Sequence, residues 1–224
     1  MSLLSLTIEN DIAHIHLDDG KANALSFDML DAIQDALNDA EANAKAIVFS
    51  GRAGRFCAGF DLSVMREDPA NAAKLVNAGG HLLLRIFQNK LPTVVACTGH
   101  ALAAGGLFLL AADTRIGVQG DFKIGLNETA IGMVLPTFGI ELPRARLAQD
   151  HFTPAVIQGR MHDPDLAVEA GFLDQAVEGD ALLDTAATAA GALAQLPQAA
   201  YHGNKMLIRK PAIEIIKASL VPLD

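Results

Sequence analysis

Apolar and polar residues alternate from the first residues of the chain. Leu4-Ser5-Leu6-Thr7-Ile8 and Ile12-Ala13-His14-Ile15-His16-Leu17 predict two strands, with Glu9-Asn10-Asp11 as the hairpin turn. This register puts His14 and His16 on the polar face, as strand-surface residues. From Ser26 the period lengthens. Ser26 is placed to N-cap a helix with a core stripe of Phe27, Leu30, Ile33 or Gln34, and Leu37. The apolar run Ala46-Ile47-Val48-Phe49-Ser50 reads as a buried strand. Residues 70–89 read as a helix that buries Leu75, Leu82, Leu83 and Ile86, with its middle weakened by Gly79-Gly80. Pro92 opens another buried strand, and Leu107 to Ala112 is an apolar helix. Asp163-Pro164 starts a short helix, and Gly171 to Val177 turns back into a strand. Ala181 to Leu196 is alanine-rich and helical. Pro197 separates it from a last helix that Pro211 is expected to interrupt or kink. No sequence repeat or low-complexity linker is present, but the strand–turn–helix unit recurs. The fold class expected is α/β, a superhelix whose turns stack as small sheets with helices outside.

Composition narrows the classes. At 224 residues the chain is one large domain, or one domain with a short appendage. Half the residues are apolar and there is no Trp, so an aliphatic core is expected. A net charge of −9 argues against general nucleic-acid binding, which needs phosphate neutralisation. No apolar run reaches the ~20 residues of a membrane span, and Met1 to Leu6 lacks the basic start of a signal peptide. Cys57 and Cys97 make no zinc spacing and read as buried free thiols of a cytoplasmic protein.

The chemistry concentrates in Ile124-Gly125-Leu126-Asn127-Glu128-Thr129-Ala130-Ile131-Gly132. Glu128 sits there among apolar residues and glycines. Two readings stand side by side. A carboxylate in apolar surroundings loses hydration, and its raised pKa suits it to accept a proton near neutrality. A carboxylate at a turn points to water or caps the next helix. Upstream, Thr93 to Leu107 turns from a strand at Gly99 and reaches a helix through Ala103-Ala104-Gly105-Gly106. Small residues there let a ligand approach the backbone, and the first helical turn offers unpaired N–H groups. Close packing of a helix on a sheet demands the same residues. A third segment repeats the design: strand 46–50, the basic loop Gly51-Arg52-Ala53-Gly54-Arg55, then Phe56-Cys57-Ala58-Gly59-Phe60-Asp61-Leu62. Two strand–glycine turns can aim two N–H groups at one oxygen, the requirement of an oxyanion hole. His100 reads as a packed or hydrogen-bonded loop histidine. Glu141 reads as a carboxylate at a helix N-terminus, Asp61 as the residue fixing the turn after Gly59, and Asp113 as structural.

Phe56 to Leu62, Gly99 to Leu107 and Gly125-Leu126-Asn127-Glu128 resemble the crotonase (enoyl-CoA hydratase/isomerase) superfamily, and the resemblance runs over nearly the whole chain. It includes Lys21-Ala22-Asn23-Ala24-Leu25 after the hairpin and the late Asp163-Pro164 to Val177 segment. Within the superfamily, Ile124 to Thr129 and the run Asn204-Lys205-Met206 to Arg209-Lys210 are most similar to the Δ3,Δ2-enoyl-CoA isomerases. The resemblance implies a spiral of strand–strand–helix turns over residues 1–160. Residues 161–224 would form a C-terminal helical region used for trimerisation, with an end shorter than the isomerases'. The backbone N–H groups of Phe60 and Ala104 would form the oxyanion hole, with alanine at 104 where glycine is frequent. Glu128 would be the acid/base. Leu107 stands where hydratases carry another glutamate, which disfavours hydration. Lys21, Ala22, Ala24, Ala58, Gly59, Asp61, Leu62 and Asn127 would contact substrate or coenzyme A. Coenzyme A would enter as part of an acyl-CoA thioester of fatty acid metabolism, with no metal and no further cofactor. The assembly implied is a homotrimer or a dimer of trimers in the cytoplasm, without nucleic-acid or membrane partners. Other reactions of the superfamily, thioester hydrolysis or decarboxylation, and a non-catalytic acyl-CoA binder are the alternatives. Of the basic residues, Arg52 reads as a solvated charge, and Lys21 and Arg55 divide between that and ligand contact. Lys205, Arg209 and Lys210 read as a solvated helix face, with coenzyme A phosphates as their other use.

Overall fold

A computed structural model describes residues 2–223; Met1 and Asp224, the ends of the two expected segments, lie outside the described residues. Asn10 and Asp11 adopt φ of 52° and 65°. This two-residue turn joins β1 (Leu4–Glu9) to β2 (Ile12–Leu17), so Glu9 belongs to the strand. Ser26 caps α1 (Phe27–Asn43), its Oγ accepting from the Met29 N–H at 3.2 Å. The buried stripe of α1 runs through Met29, Leu30, Ile33, Ala36, Leu37 and Ala40, while Phe27 and Gln34 are half-buried. The helix is rolled because it packs on β1, β2 and the later helix α3 together.

Each later turn of the chain sends one strand to each of two sheets. β3 (Ala46–Gly51), β5 (Thr93–Cys97) and β7 (Thr114–Val118) extend a large sheet, and β9 (Gln175–Val177) closes it, in the order β1-β2-β3-β5-β7-β9. β4 (Gly54–Cys57), β6 (Gly99–Leu102) and β8 (Ile124–Gly125) form a second, three-stranded sheet. All pairings are parallel except β1 with β2. After β4 come α2 (Leu62–Glu67) and α3 (Pro69–Phe87), and after β6 comes α4 (Ala104–Ala111). α4 begins three residues before the expected Leu107 and is buried on every side, with Phe49 and Phe56 edge-on to Phe108 at 5.1 and 5.4 Å. Gly79 and Gly80 of α3 are sites of close approach. The Phe60 ring occupies the space of a Cβ at Gly79, and Phe138 and Leu220 that at Gly80.

Beyond β8 the chain makes a 3-10 turn (Thr129–Ile131), then α5 (Thr137–Arg146), α6 (Gln149–Val156) and α7 (Pro164–Ala170), and, after β9 and a second 3-10 turn (Gly179–Ala181), α8 (Leu182–Ala194) and α9 (Gln198–Ser219). Residues beyond 160 are woven into the sheets, since β9 pairs with β7 and His162 pairs with Ile124. Leu182, Ala186, Ala190 and Ala194 recur every four residues along α8. That stripe covers the outer face of the large sheet at Val48, Val94, Ala96 and Ile116. No helix among the described residues is long and apolar enough to cross a membrane.

Three expectations are corrected. Pro211 does not interrupt α9. The carbonyl it leaves without an N–H donor belongs to Leu207, which is 73 % exposed, so water can satisfy it. Lys205 and Arg209 are not a solvated face. Both are buried, and both pair with Asp113, at 2.6 and 2.9 Å. Lys205 also donates to the carbonyls of Asn89 and Leu91, and Arg209 to that of Phe87, closing the end of α3. Lys210 alone of the three is exposed. Glu141 is the fifth residue of α5 rather than a first-turn carboxylate; it is buried and paired with Arg144 at 3.2 Å.

Candidate active site

The second sheet sets the geometry. β4, β6 and β8 run parallel, so their carboxyl ends share one edge. Ala58 to Phe60, Ala103-Ala104 and Leu126 to Glu128 leave those three ends. In parallel α/β sheets that edge is where ligands bind. Glycines draw the segments together. A Cβ at Gly99 would strike the backbone of Gly54, and one at Gly105 the carbonyl of Cys57.

Leu25 forms an isolated parallel bridge with Phe60. The Leu25 N–H donates to the Gly59 carbonyl at 2.8 Å, and the Asp61 N–H donates to the Leu25 carbonyl at 3.1 Å. Leu25 thus uses the groups on either side of Phe60, and the Phe60 N–H faces away from that bridge. Ala103 precedes α4 in a strained conformation, φ 52° and ψ −122°. Ala104 is the first residue of α4, so its N–H has no intrahelical acceptor. Gly59, with φ 93°, lies against this turn; a Cβ there would sit 3.0 Å from the Ala103 Cβ and 3.3 Å from the Ala104 nitrogen. The Gly59-Phe60 and Ala103-Ala104 turns therefore touch.

Glu128 is 7 % exposed, and its Oε2 is buried with no partner among the described residues. Burial pushes its carboxyl up to about 7, against the lowering effect of its own backbone N–H. Of the two readings of this residue, the water-facing turn carboxylate does not agree with that burial. Its backbone is pinned, because the Glu128 carbonyl accepts from Ile131 and Met133 at 3.1 and 2.9 Å. Asn127 Oδ1 is also buried and unpartnered among the described residues.

The Lys21–Ala24 loop is held beside these turns by Asn23, which sequence reasoning missed. Asn23 is buried, with φ 52°. Its Nδ2 donates to the carbonyls of Leu17 and Phe56 at 2.9 and 3.1 Å, and its Oδ1 accepts from the Asp19 N–H at 3.0 Å. The only local signal was an asparagine in a tight turn, which tolerates positive φ. The Ala58 N–H donates to the Ala22 carbonyl at 3.1 Å, joining two of the expected coenzyme segments. They edge a cleft of ≈ 320 Å³ lined by Ala22, Arg55, Ala58, His100, Leu102 and Lys123. Lys123 was not singled out, because only the pairing of β8 with β6 brings it there. His100 is a β6 residue, not a loop one; its Nδ1 accepts from the Lys123 N–H at 2.9 Å. Lys21 and Leu62 are exposed, and Ala24 is half-buried. Asp61 caps α2, accepting from the Ser63 N–H and hydroxyl, and the Ser63 hydroxyl is the main cause of its lowered pKa. Cys57 and Cys97 are free and buried, and burial pushes both thiols up to about 12.

Known proteins resemble this chain in sequence and fold. Residues 7–215 match the family described as Enoyl-CoA hydratase/isomerase. Human mitochondrial enoyl-CoA delta isomerase 1 is 31 % identical over 194 residues, which cover 84 % of this chain and 64 % of that protein. The chain thus spans less than two thirds of that relative's length. Among solved structures, an enoyl-CoA hydratase/isomerase family protein from Pseudomonas syringae superposes with a TM-score of 0.95 at 39 % identity, over 97 % of this chain and 94 % of that one. Human mitochondrial Δ3-Δ2-enoyl-CoA isomerase superposes at 0.93 and 26 % identity, over 97 % and 87 %. An enoyl-CoA hydratase from Mycobacterium marinum gives 0.93 at 32 % identity, over 97 % and 96 %. The chain belongs to the enoyl-CoA hydratase/isomerase family, within the crotonase superfamily, and has its fold.

Proposed function

We propose that this protein acts on acyl-CoA thioesters and moves a carbon–carbon double bond from C3 to C2, as a Δ3,Δ2-enoyl-CoA isomerase. The observation that carries the reading is Glu128: a buried carboxylate with an unpartnered oxygen and a pKa of about 7, on the strand end beside the Ala103-Ala104 turn. Such a group can both take and return a proton at neutral pH. Glu128 removes a proton from C2 of a 3-enoyl thioester. The electron pair passes to the thioester oxygen as a dienolate. The N–H groups of Phe60 and Ala104 receive that oxygen. The protonated Glu128 then delivers its proton to C4, the double bond settles between C2 and C3, and atoms and charge balance without water.

Leu107 supports this choice over hydration. It is buried in α4, one turn after Ala104, where the family resemblance puts a hydratase's other glutamate. A leucine there cannot orient water. The human relatives named as isomerases agree with this reading, and the mycobacterial neighbours named as hydratases agree with the acyl-CoA substrate class. The test is a panel of 2-enoyl, 3-enoyl and saturated acyl-CoAs followed by mass spectrometry and absorbance. Conversion of 3-enoyl to 2-enoyl without a gain of water is expected. A mass gain of water as the main outcome overturns the isomerase reading.

A further inference from the structure

At the far end of α4 from Ala104, two cations pair with one carboxylate and a third binds the main chain beside it. Lys205 Nζ lies 2.6 Å from Asp113 Oδ2, and Arg209 Nη2 lies 2.9 Å from Oδ1. Arg146 of α5 donates through Nη2 to the carbonyls of Ala112 and Asp113, both at 2.8 Å. The charges nearby cancel in pairs, Arg115 with Asp174 and Arg144 with Glu141. Tyr201, packed against Lys205, offers no phenolate, since burial pushes its hydroxyl well up. Asp113 therefore leaves two positive charges unmatched. Unmatched charge in a buried cluster is costly. Arg146 shows the strain. Burial, then Arg115 and Arg209, push its guanidinium down to about 9, and its Nε has no acceptor among the described residues. A guanidinium nonetheless keeps its proton near neutral pH.

An opening adjoins the surplus. Two lobes of ≈ 230 and ≈ 300 Å³ lie between α5 and α9, and Arg146, Ile208 and Arg209 line both. Tyr201 and Asn204 edge one lobe. We propose that this cleft is a second binding site, which takes a small oxyanion, phosphate or carboxylate, on Arg146 and Arg209. Guanidinium groups suit such anions because their N–H forks match two oxygens at once. The site is independent of the Glu128 chemistry. α4 separates the two, and its eight residues span about 12 Å.

The test is thermal unfolding of the whole protein in inorganic phosphate, in acetate and in chloride at matched ionic strength. An anion bound by the native state alone raises Tm by mass action, here by about 2–4 °C over chloride. A rise in phosphate or in acetate supports the site and names its anion class; no rise in either overturns it. Ile208→Glu carries a carboxylate into both lobes from a residue that is 80 % exposed, so folding is not at stake. It should raise Tm in chloride and erase the anion increment, while Ile208→Gln keeps that increment. An increment that survives Ile208→Glu overturns the proposal. So does one that disappears when the protein is saturated with acyl-CoA, which would assign it to the coenzyme cleft.

Discussion

The Ala103 N–H donates to the Gly125 carbonyl at 2.9 Å. That bond ties the turn in front of Ala104 to the strand that carries Glu128 three residues later. The Ala103-Ala104 turn and the segment that carries Glu128 are thus one mechanical unit, held by parallel pairing of Leu102 with Gly125. Changes to one segment should be felt by the other. Substitutions meant to separate their roles have to be small.

Glu128→Gln keeps the shape and removes the proposed base. Turnover of a 3-enoyl-CoA should fall at least ~10²-fold, with affinity little changed. Solvent deuterium should enter the substrate with wild type and not with the variant. Near-wild-type turnover and exchange in the variant would make Glu128 structural.

The same residue predicts a pH dependence. Its folded pKa of about 7 lies above the ordinary 4.5, so between those values the native state holds a proton that the unfolded state has lost. Stability therefore falls as pH rises across that window. The cost is absent below about pH 4.5 and full above about pH 7, where it is roughly 3 kcal/mol. Urea titrations of wild type and Glu128→Gln should diverge across that window, the variant becoming relatively more stable. kcat/KM of wild type should rise toward a plateau with an apparent pKa near 7. Parallel stability curves would place the carboxylate in water.

Leu107 offers a test of isomerase against hydratase. Wild type should hydrate a 2-enoyl-CoA far more slowly than it shifts a 3-enoyl bond. Leu107→Glu should lose stability, because it puts an unpartnered carboxylate into a position only 1 % exposed. Faster hydration than isomerisation by wild type sinks the single-base mechanism.

Asp113 should matter for folding and not for chemistry. Asp113→Asn leaves Lys205 and Arg209 buried without their counter-charge, a loss of about 3–5 kcal/mol. Chemical denaturation measures it. The folded fraction should keep the kcat of wild type, since Asp113 lies at the opposite end of α4 from Ala104.

Ligand preference tests the loop held by Asn23. Acyl-CoA should raise Tm and the free acid should not. Asn23→Ala should weaken acyl-CoA binding and cost about 1–3 kcal/mol of stability, because it strands carbonyls of Leu17 and Phe56. Equal binding of acid and thioester would remove the acyl-CoA reading altogether.

The sequence by itself determined what depends on a few neighbouring residues. Alternation set β1 and β2, and Asn10-Asp11 supplied the left-handed turn between them. Ser26 and Asp163 marked helix starts because a cap needs only an oxygen three residues from an N–H. The small residues at Gly59 and Ala103 to Gly106 marked sharp turns for the same local reason. Only the tertiary structure decided what those segments meet. Nothing near Lys205 in sequence shows that Asp113, 92 positions away, takes its charge. A helical face is solvated or buried according to what packs on it, and α9 closes over the ends of α3 and α4. The same holds for Asn23, whose partners lie across two strands, and for Lys123, which reaches the cleft beside Ala22 and Ala58 through β8 pairing. The burial of Glu128 completes the case: its apolar neighbours made desolvation one of two readings. The pKa of about 7 follows only once the folded chain excludes water from the carboxylate, because desolvation is a property of the space around a group.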